Sequence, residues 1–288
     1  MQQLGNSRKY AVLTIRRLLF AVILTALVVA GYVGYRPTGT GPAAGEQLDG
    51  HFLPAADRPA TLRVGTFNIH SGRGLDGITD LMRTAACLET AALDLVALQE
   101  VRGNLTSGAN QARTLAERLQ MAWLYAPAER RWGVLEFGNG LLAAVEVKRW
   151  QRIVLPRRFA ADHRNAVLAT VEHHGHTIRI LMTHIHRRDQ RERDAQLQAV
   201  TGMFLALEEP AILLGDLNCS ESELPIRQLL DTPGVEDAVG QALRRKGAED
   251  MPGRVDWIIT RGLRAVDADI VDAAASDHPL VWAELELP

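Results

Sequence analysis

Six short stretches of this chain carry an acid, an amide or an imidazole at the end of an apolar, β-branched run. They read Thr66-Phe67-Asn68-Ile69-His70, Leu98-Gln99-Glu100, Thr183-His184, Gly215-Asp216-Leu217-Asn218, Arg254-Val255-Asp256-Trp257 and Ser276-Asp277-His278-Pro279. A run of this kind reads as a buried strand, so each polar group is expected where a strand stops. Ends of central strands are where a packed scaffold delivers side chains into a common cleft. The carboxylates of Glu100, Asp216, Asp256 and Asp277, the amides of Asn68 and Asn218 and the imidazoles of His184 and His278, delivered in this way, point to one site.

The rest of the chain fits an α/β domain. Helical spacing covers 77–92, 110–119, 189–207 and 221–230. Strand patterns cover 62–69, 93–99, 141–146, 153–155, 167–172, 177–184, 211–214, 257–260, 263–271 and 280–285, with a hairpin turn at Gly175. His173, His174 and His176 crowd that turn, where chance metal binding is expected rather than a built site. A hydrophobic content of 47% with 23% charged residues is ordinary for a globular enzyme. The formal charge of −2 gives no general attraction to nucleic acid. Aromatic residues at 5% weigh against a stacking groove for single strands. The pairs Arg157-Arg158 and Arg187-Arg188 and the cluster Arg244-Arg245-Lys246 read as solvated faces. Cys87 and Cys219 are expected as free buried thiols.

Residues 1–60 divide differently. A short basic segment, 1–17, precedes an uncharged stretch from Leu18 to Tyr35, long enough to cross a bilayer core. Arg8, Lys9, Arg16 and Arg17 then predict a cytoplasmic N-terminus and a single-pass anchor in a bacterial inner membrane. The alternative is a signal peptide cleaved near Ala30, after Val28-Val29, giving a secreted protein. Either reading puts the domain outside the inner membrane. Residues 36–60, rich in Gly, Pro and Ala, read as a flexible linker, within which 47–54 could pack on the domain.

The donor set has its own chemistry. Carboxylate and amide oxygens without a thiolate pattern favour a hard cation, Mg²⁺ or Mn²⁺. Zinc more often recruits several His or Cys. Two imidazoles supply a proton acceptor and a proton donor near neutral pH. Together these are the requirements of in-line attack by water on a phosphoester. No P-loop and no G-x-S-x-G elbow is present, which argues against nucleotide-driven transfer and serine esterases.

The order TFNIH, LQE, GNGLLA, THIH, GDLN, RVDW, SDHP resembles the endonuclease/exonuclease/phosphatase superfamily over about residues 61–288. That group includes pancreatic-type deoxyribonuclease, abasic-site endonucleases, bacterial sphingomyelinases and inositol-polyphosphate phosphatases. The resemblance implies a four-layer α/β/β/α sandwich of two mixed sheets for 61–288. By the same resemblance Glu100 is the principal metal ligand, Asn68 helps to place metal and phosphate, and Asp277 joins Glu100 at the metal. His278 is the general base on water, with Asp256 fixing its tautomer. Asp216 is a phosphate-side or second-metal carboxylate and Asn218 a transition-state donor. His184, or His186 two residues on, donates to the departing oxygen or to the phosphate. Asn139 stands where deoxyribonuclease-like members pair that His with a Glu. Arg164 and Asn165 contact phosphate or substrate.

The expected activity is hydrolysis of a phosphodiester, with a lipid head group or related substrate outside the inner membrane. A Mg²⁺-dependent endonuclease or exonuclease on DNA is the alternative, and a non-catalytic phosphoester-binding module is a third reading. No protein partner is predicted. Preference between monoesters and diesters is left open.

Overall fold

The computed structural model describes residues 16–27, 36–37, 44–45, 48–50, 52, 58–131, 134–157, 163–272 and 274–288. Residues 16–27 form helix α1, exposed along its whole length. Among the described residues fourteen strands follow: β1 (Arg36–Pro37), β2 (Ala44–Gly45), β3 (Leu62–Asn68), β4 (Leu95–Asn104), β5 (Ala122–Arg131), β6 (Leu135–Ala143), β7 (Val147–Val154), β8 (Asn165–His173), β9 (His176–His184), β10 (Ala211–Asp216), β11 (Val235–Asp237), β12 (Asp256–Arg261), β13 (Arg264–Val271) and β14 (Leu280–Glu286). The remaining helices are α2 (Leu81–Ala91), α3 (Gln111–Leu119), α4 (Gln190–Leu205), α5 (Leu224–Leu230) and α6 (Ala238–Lys246).

The strands form two seven-stranded sheets, ordered β1-β5-β6-β4-β3-β14-β13 and β11-β12-β10-β9-β8-β7-β2. Among the described residues only β3–β4 and β9–β10 are parallel, and each parallel pair needs a crossover. Helices α2 and α4 supply them. Strand β4 explains the arrangement from its sequence. Leu95 and Ala97 face the second sheet, packing in one core with Ile180, Met182, Ile212 and Leu214. Val96 and Leu98 face outward onto Ala85, Leu88 and Leu115 of α2 and α3. Both faces are covered, so the strand reads as a continuous apolar run rather than an alternation. On the other side Leu181, Leu213 and Ile259 pack with Leu197, Val200, Phe204 and Ile226 of α4 and α5. The layers are α/β/β/α, as the resemblance implies.

Strand β5 and helix α6, like the short strands β1, β2 and β11, lie where no element is expected from sequence. Strand β5 is interrupted by a bulge at Pro127, where its register to β6 shifts. Helix α6 falls in 231–253, with Val239, Ala242 and Leu243 closing the inter-sheet core. Its basic end is engaged rather than merely solvated: Arg245 donates to the Ala265 carbonyl and Lys246 pairs with Asp267 at 2.6 Å. The segment from α6 to β12 is held by Arg254. That buried guanidinium donates to Asp250 at 2.9 Å, Asp237 at 2.8 Å and the Asp256 carbonyl at 2.9 Å, stacked 4.2 Å above Trp257. Replacing it with methionine strands two carboxylates, and Arg254→Met is expected to lower unfolding free energy by about 3–5 kcal/mol in urea titration.

The stretch read as a linker touches the domain at its described residues. Arg36 and Pro37 pair with Arg130 and Glu129 of β5, and Ala44 and Gly45 pair with Gln151 and Trp150 of β7. Leu48 is buried and Phe52 packs on the core, as a docked 47–54 would. The histidine turn is docked as well. His174 and Gly175 both take positive φ, the geometry of a tight hairpin turn. The His173 Nε2–H donates to the Pro59 and Thr61 carbonyls, both at 3.1 Å, so this ring is anchored to the chain below it. Cys87 and Cys219 are free, Cys219 buried and Cys87 half-buried.

Among the described residues no helix is long and apolar enough to cross a membrane. Residues 28–35 of the expected span, with the Ala30 cleavage point, lie outside the described residues.

Candidate active site

The parallel strands β3, β4, β9 and β10 all run toward one end of the sandwich. Asn68, His184 and Asp216 stand at or beside their last positions. Asp256 and Asp277-His278 reach the same end from the opposite direction. Asp256 opens β12 and Asp277-His278 precede β14, strands antiparallel to β10 and β3, so they mark strand starts rather than stops.

Glu100 arrives by another device. Strand β4 does not end there but runs on to Asn104. The β4–β6 register jumps from Leu98 opposite Gly140 to Val101 opposite Gly138, leaving Gln99 and Glu100 against Asn139 alone. This bulge holds Glu100 at a φ of 59°, a conformation costly for a side-chain-bearing residue. Its carboxylate lines the cleft and pairs with no side chain among the described residues.

The cleft has a volume of about 1110 Å³ and is lined by Asn68, Glu100, Arg164, His184, His186, Asp216, Asn218, Asp277 and His278. Asp216 is its most constrained member. Its Oδ2 accepts from Asn68 Nδ2 at 3.0 Å and its Oδ1 from the Asn218 backbone N–H at 2.9 Å. His184 Nε2 lies 3.4 Å and His278 Nε2 3.8 Å from Oδ2. Burial, reinforced by the Asp256 charge, pushes Asp216 up to about 7. Asn68 therefore orients Asp216, while its own oxygen accepts the His70 backbone N–H at 3.1 Å.

His278 Nδ1 is 2.8 Å from Asp256 Oδ2. Burial alone would lower this imidazole, but the Asp256 hydrogen bond and the Asp256, Asp216 and Asp277 charges outweigh it and raise it to about 9. The loop is pinned by Ser276, whose hydroxyl donates to the Asn68 carbonyl at 2.6 Å. Arg254 meets Asp256 only at its carbonyl, which leaves the carboxylate to the imidazole. His184 behaves oppositely. Burial, then the charges of Arg164, His278 and His186, hold it well below 6.5. It is a neutral ring suited to hydrogen bonding rather than an imidazolium acid. His186 also lines the cleft, with its backbone N–H on Gln196 at 2.9 Å.

Asn218 has a φ of 47° and donates one Nδ2 proton to the Ile185 carbonyl at 2.9 Å, leaving the other on the cleft side. Arg164 lies 5.9 Å from the Phe137 ring at the cleft wall. Asn139 and Asn165 are not brought to the wall. Asn139 Nδ2 donates to Asn165 Oδ1 at 2.9 Å, and Asn165 donates to the Ala126 and Pro127 carbonyls. Thr183 donates to the Asn165 carbonyl at 3.1 Å. Both amides are thus buried, Asn139 held by Asn165 and Asn165 held by backbone groups of β5, rather than presented to a substrate. Residues without an assigned role do face the cleft: His70, 3.4 Å from Asp277, and Arg73, Arg102, Arg187 and Arg188. The TFNIH motif could have flagged His70; nothing in the arginine pattern could have.

Ligand atoms of Asp216, Asp256 and His278 lie within 4.8 Å of one another. The Asp256–His278 hydrogen bond already occupies two of them, which suits a base and its orienting acid better than a cation. Glu100 and Asp277, with the second lone pair of the Asn68 oxygen, make the better cation set: oxygens only, in a cleft, with one carboxylate unpaired.

The sequence matches the description Endonuclease/Exonuclease/phosphatase family over residues 65–278. The chain belongs to that family. Its members are generally metal-dependent phosphoesterases or nucleases. Solved structures agree on the fold. A Beutenbergia cavernae endonuclease/exonuclease/phosphatase is 22% identical with a TM-score of 0.63, covering 79% of this chain and 72% of that one. The human Nocturnin catalytic domain with bound sulfate is 20% identical, TM-score 0.61, covering 81% and 98%. D. rerio TDP2 complexed with a single-strand DNA product is 18% identical, TM-score 0.60, covering 79% and 99%. No curated protein matches the sequence.

Proposed function

We propose that this protein is a divalent-metal-dependent phosphodiesterase that acts on a lipid head group or related substrate outside the inner membrane. The observation that carries the reaction is the Asp256–His278 pair at 2.8 Å, opening on the cleft that also presents Glu100 and Asp277. His278 Nε2 takes the proton from water as its oxygen attacks phosphorus in line with the departing oxygen. Asp256 holds the Nδ1 proton and stabilises the imidazolium that forms. Asn218 donates to a phosphoryl oxygen. His184, kept neutral, donates an N–H to the phosphoryl or leaving oxygen. Glu100, Asp277 and Asn68 would hold Mg²⁺ or Mn²⁺, which when bound supplies positive charge that polarises the phosphoryl group and favours a neutral His278.

The membrane part rests on α1 and the uncharged run that continues it to Tyr35. Leu18, Phe20, Ile23 and Leu27 are all more than half exposed. A helix apolar on every side calls for an apolar environment. A single-pass anchor, with the domain on the periplasmic side, supplies it.

The nuclease reading is favoured by one observation, the exposed Arg102, Arg187 and Arg188 at the cleft. The test is turnover by the full chain, with Mg²⁺ or Mn²⁺, of bis-p-nitrophenyl phosphate, sphingomyelin, a phosphoinositide and plasmid DNA. Metal-dependent turnover of the diesters is expected, with Glu100→Gln at least about 100-fold slower. Nicked plasmid with untouched lipid would transfer the assignment to a nuclease. Folded protein that turns over none of them would leave a binding module.

A further inference from the structure

Large exposed apolar side chains are unevenly divided between the two ends of the sandwich. Leu75 and Ile78 lie in the β3–α2 loop, Leu105 just past β4, Val134 and Leu135 at the start of β6, and Val154 at the end of β7. All six are at the cleft end, and their exposures run from 38% to 67%. The opposite end carries Leu205 and Val266, each 37% exposed. Scattered exposed apolar residues need no explanation, but a set gathered around one opening does.

The same end is rich in uncommitted positive charge. Arg102, Arg187 and Arg188 are exposed, line the cleft, and pair with no side chain among the described residues. Apolar tips interleaved with free guanidinium groups match the interfacial region of a bilayer bearing anionic lipids.

A third observation concerns where the chain enters. Strand β1 is antiparallel to β5, with Arg36 opposite Arg130 and Pro37 opposite Glu129. Strand β5 runs toward the cleft end, so the chain passes Arg36 coming from that end. The uncharged run ends at Tyr35, immediately before it. From β1 the described residues descend the open edge through Ala44–Gly45 and Asp49, which bridges Trp123, to Arg58 beneath the β8–β9 turn. At Arg36 the chain therefore enters the domain from the cleft side.

We propose that the cleft end is a bilayer-docking surface, its apolar tips entering the interface and Arg102, Arg187 and Arg188 meeting anionic head groups. This rests on the membrane-anchored reading above and deepens it: the substrate is drawn from the membrane that holds the enzyme. The test uses the full chain in vesicles of phosphatidylcholine with phosphatidylglycerol, in a Cys87→Ser background. An environment-sensitive fluorophore is attached through Ile78→Cys, Leu105→Cys or, at the far end, Asp231→Cys. Blue-shifted emission at 78 and 105, quenched by lipids spin-labelled near the head group, with aqueous emission at 231, is expected. Aqueous emission at all three overturns the proposal. A blue shift at 78 and 105 that spin-labelled lipid does not quench also overturns it, because protein, such as a second copy, then covers the surface. Turnover of bis-p-nitrophenyl phosphate by the same samples separates the two readings. Turnover without insertion refutes docking alone, and insertion without turnover refutes the hydrolase alone.

Discussion

His278→Ala is expected to lower kcat on a phosphodiester by about 10³-fold, with KM changed little. The side chain sits at the meeting point of Asp256 and Asp216, and no other imidazole can replace it. His184 is held neutral, and its buried environment, with the Arg164 charge nearby, opposes the positive charge that a base acquires. Asp256→Asn is expected to cost nearly as much, since an amide cannot stabilise the imidazolium and disturbs the tautomer. The two residues act as a unit, so the double variant should be hardly slower than His278→Ala. Steady-state kinetics on the four proteins measures this, with circular dichroism confirming the fold. Additive losses would show that Asp256 acts elsewhere than through His278.

The second large effect is on folding. Gly215→Ala is expected to destabilise the protein by about 2–4 kcal/mol and to abolish turnover. Gly215 has a φ of 143°, and a Cβ there would lie 2.0 Å from the Thr183 carbonyl oxygen. Neither neighbour can move aside. Thr183 pairs with Gly215 across β9–β10, while Trp257 pairs from the β12 side. The next residue is Asp216, so relief of the clash displaces the carboxylate that Asn68 and Asn218 hold. Urea denaturation reads the stability, and bis-p-nitrophenyl phosphate hydrolysis reads the site. A variant of native stability and activity would mean that this backbone is free to relax.

Much of the architecture was legible because buried strands announce themselves. The runs before Asn68, Glu100, His184 and Asp216 are apolar on both faces, and each leads to the cleft. What the runs could not convey is direction. Asp256 opens its strand and Asp277 precedes its own because β12 and β14 are antiparallel, and the local sequence is the same either way. The bulge at Glu100 was equally hidden, since it exists only in the pairing of β4 with β6. Strand β5 breaks its own pattern at Pro127 and ends in Glu129-Arg130-Arg131, so no periodicity marks it. Helix α6 is short and ends in Arg244-Arg245-Lys246, and it is fixed by contacts to β13, which comes later in the chain. Asn139 and Asn165 stood in the right motifs, but Asn139 donates to Asn165 and Asn165 to the backbone of the unforeseen β5.

The pinning bonds of the cleft cross from one sheet to the other. Asn68 belongs to the first sheet and Asp216 to the second; His278 leads into the first and Asp256 begins the second. Neither sheet alone holds a complete base or a fixed carboxylate. The apolar side chains between the layers, Ala97, Met182, Leu214 and Val281 among them, therefore act as a spacer gauge for the chemistry. Their summed volume sets how far apart the two halves of the catalytic machinery stand. A methyl group added or removed deep in that layer alters the reach from Asp256 to His278 without touching either residue.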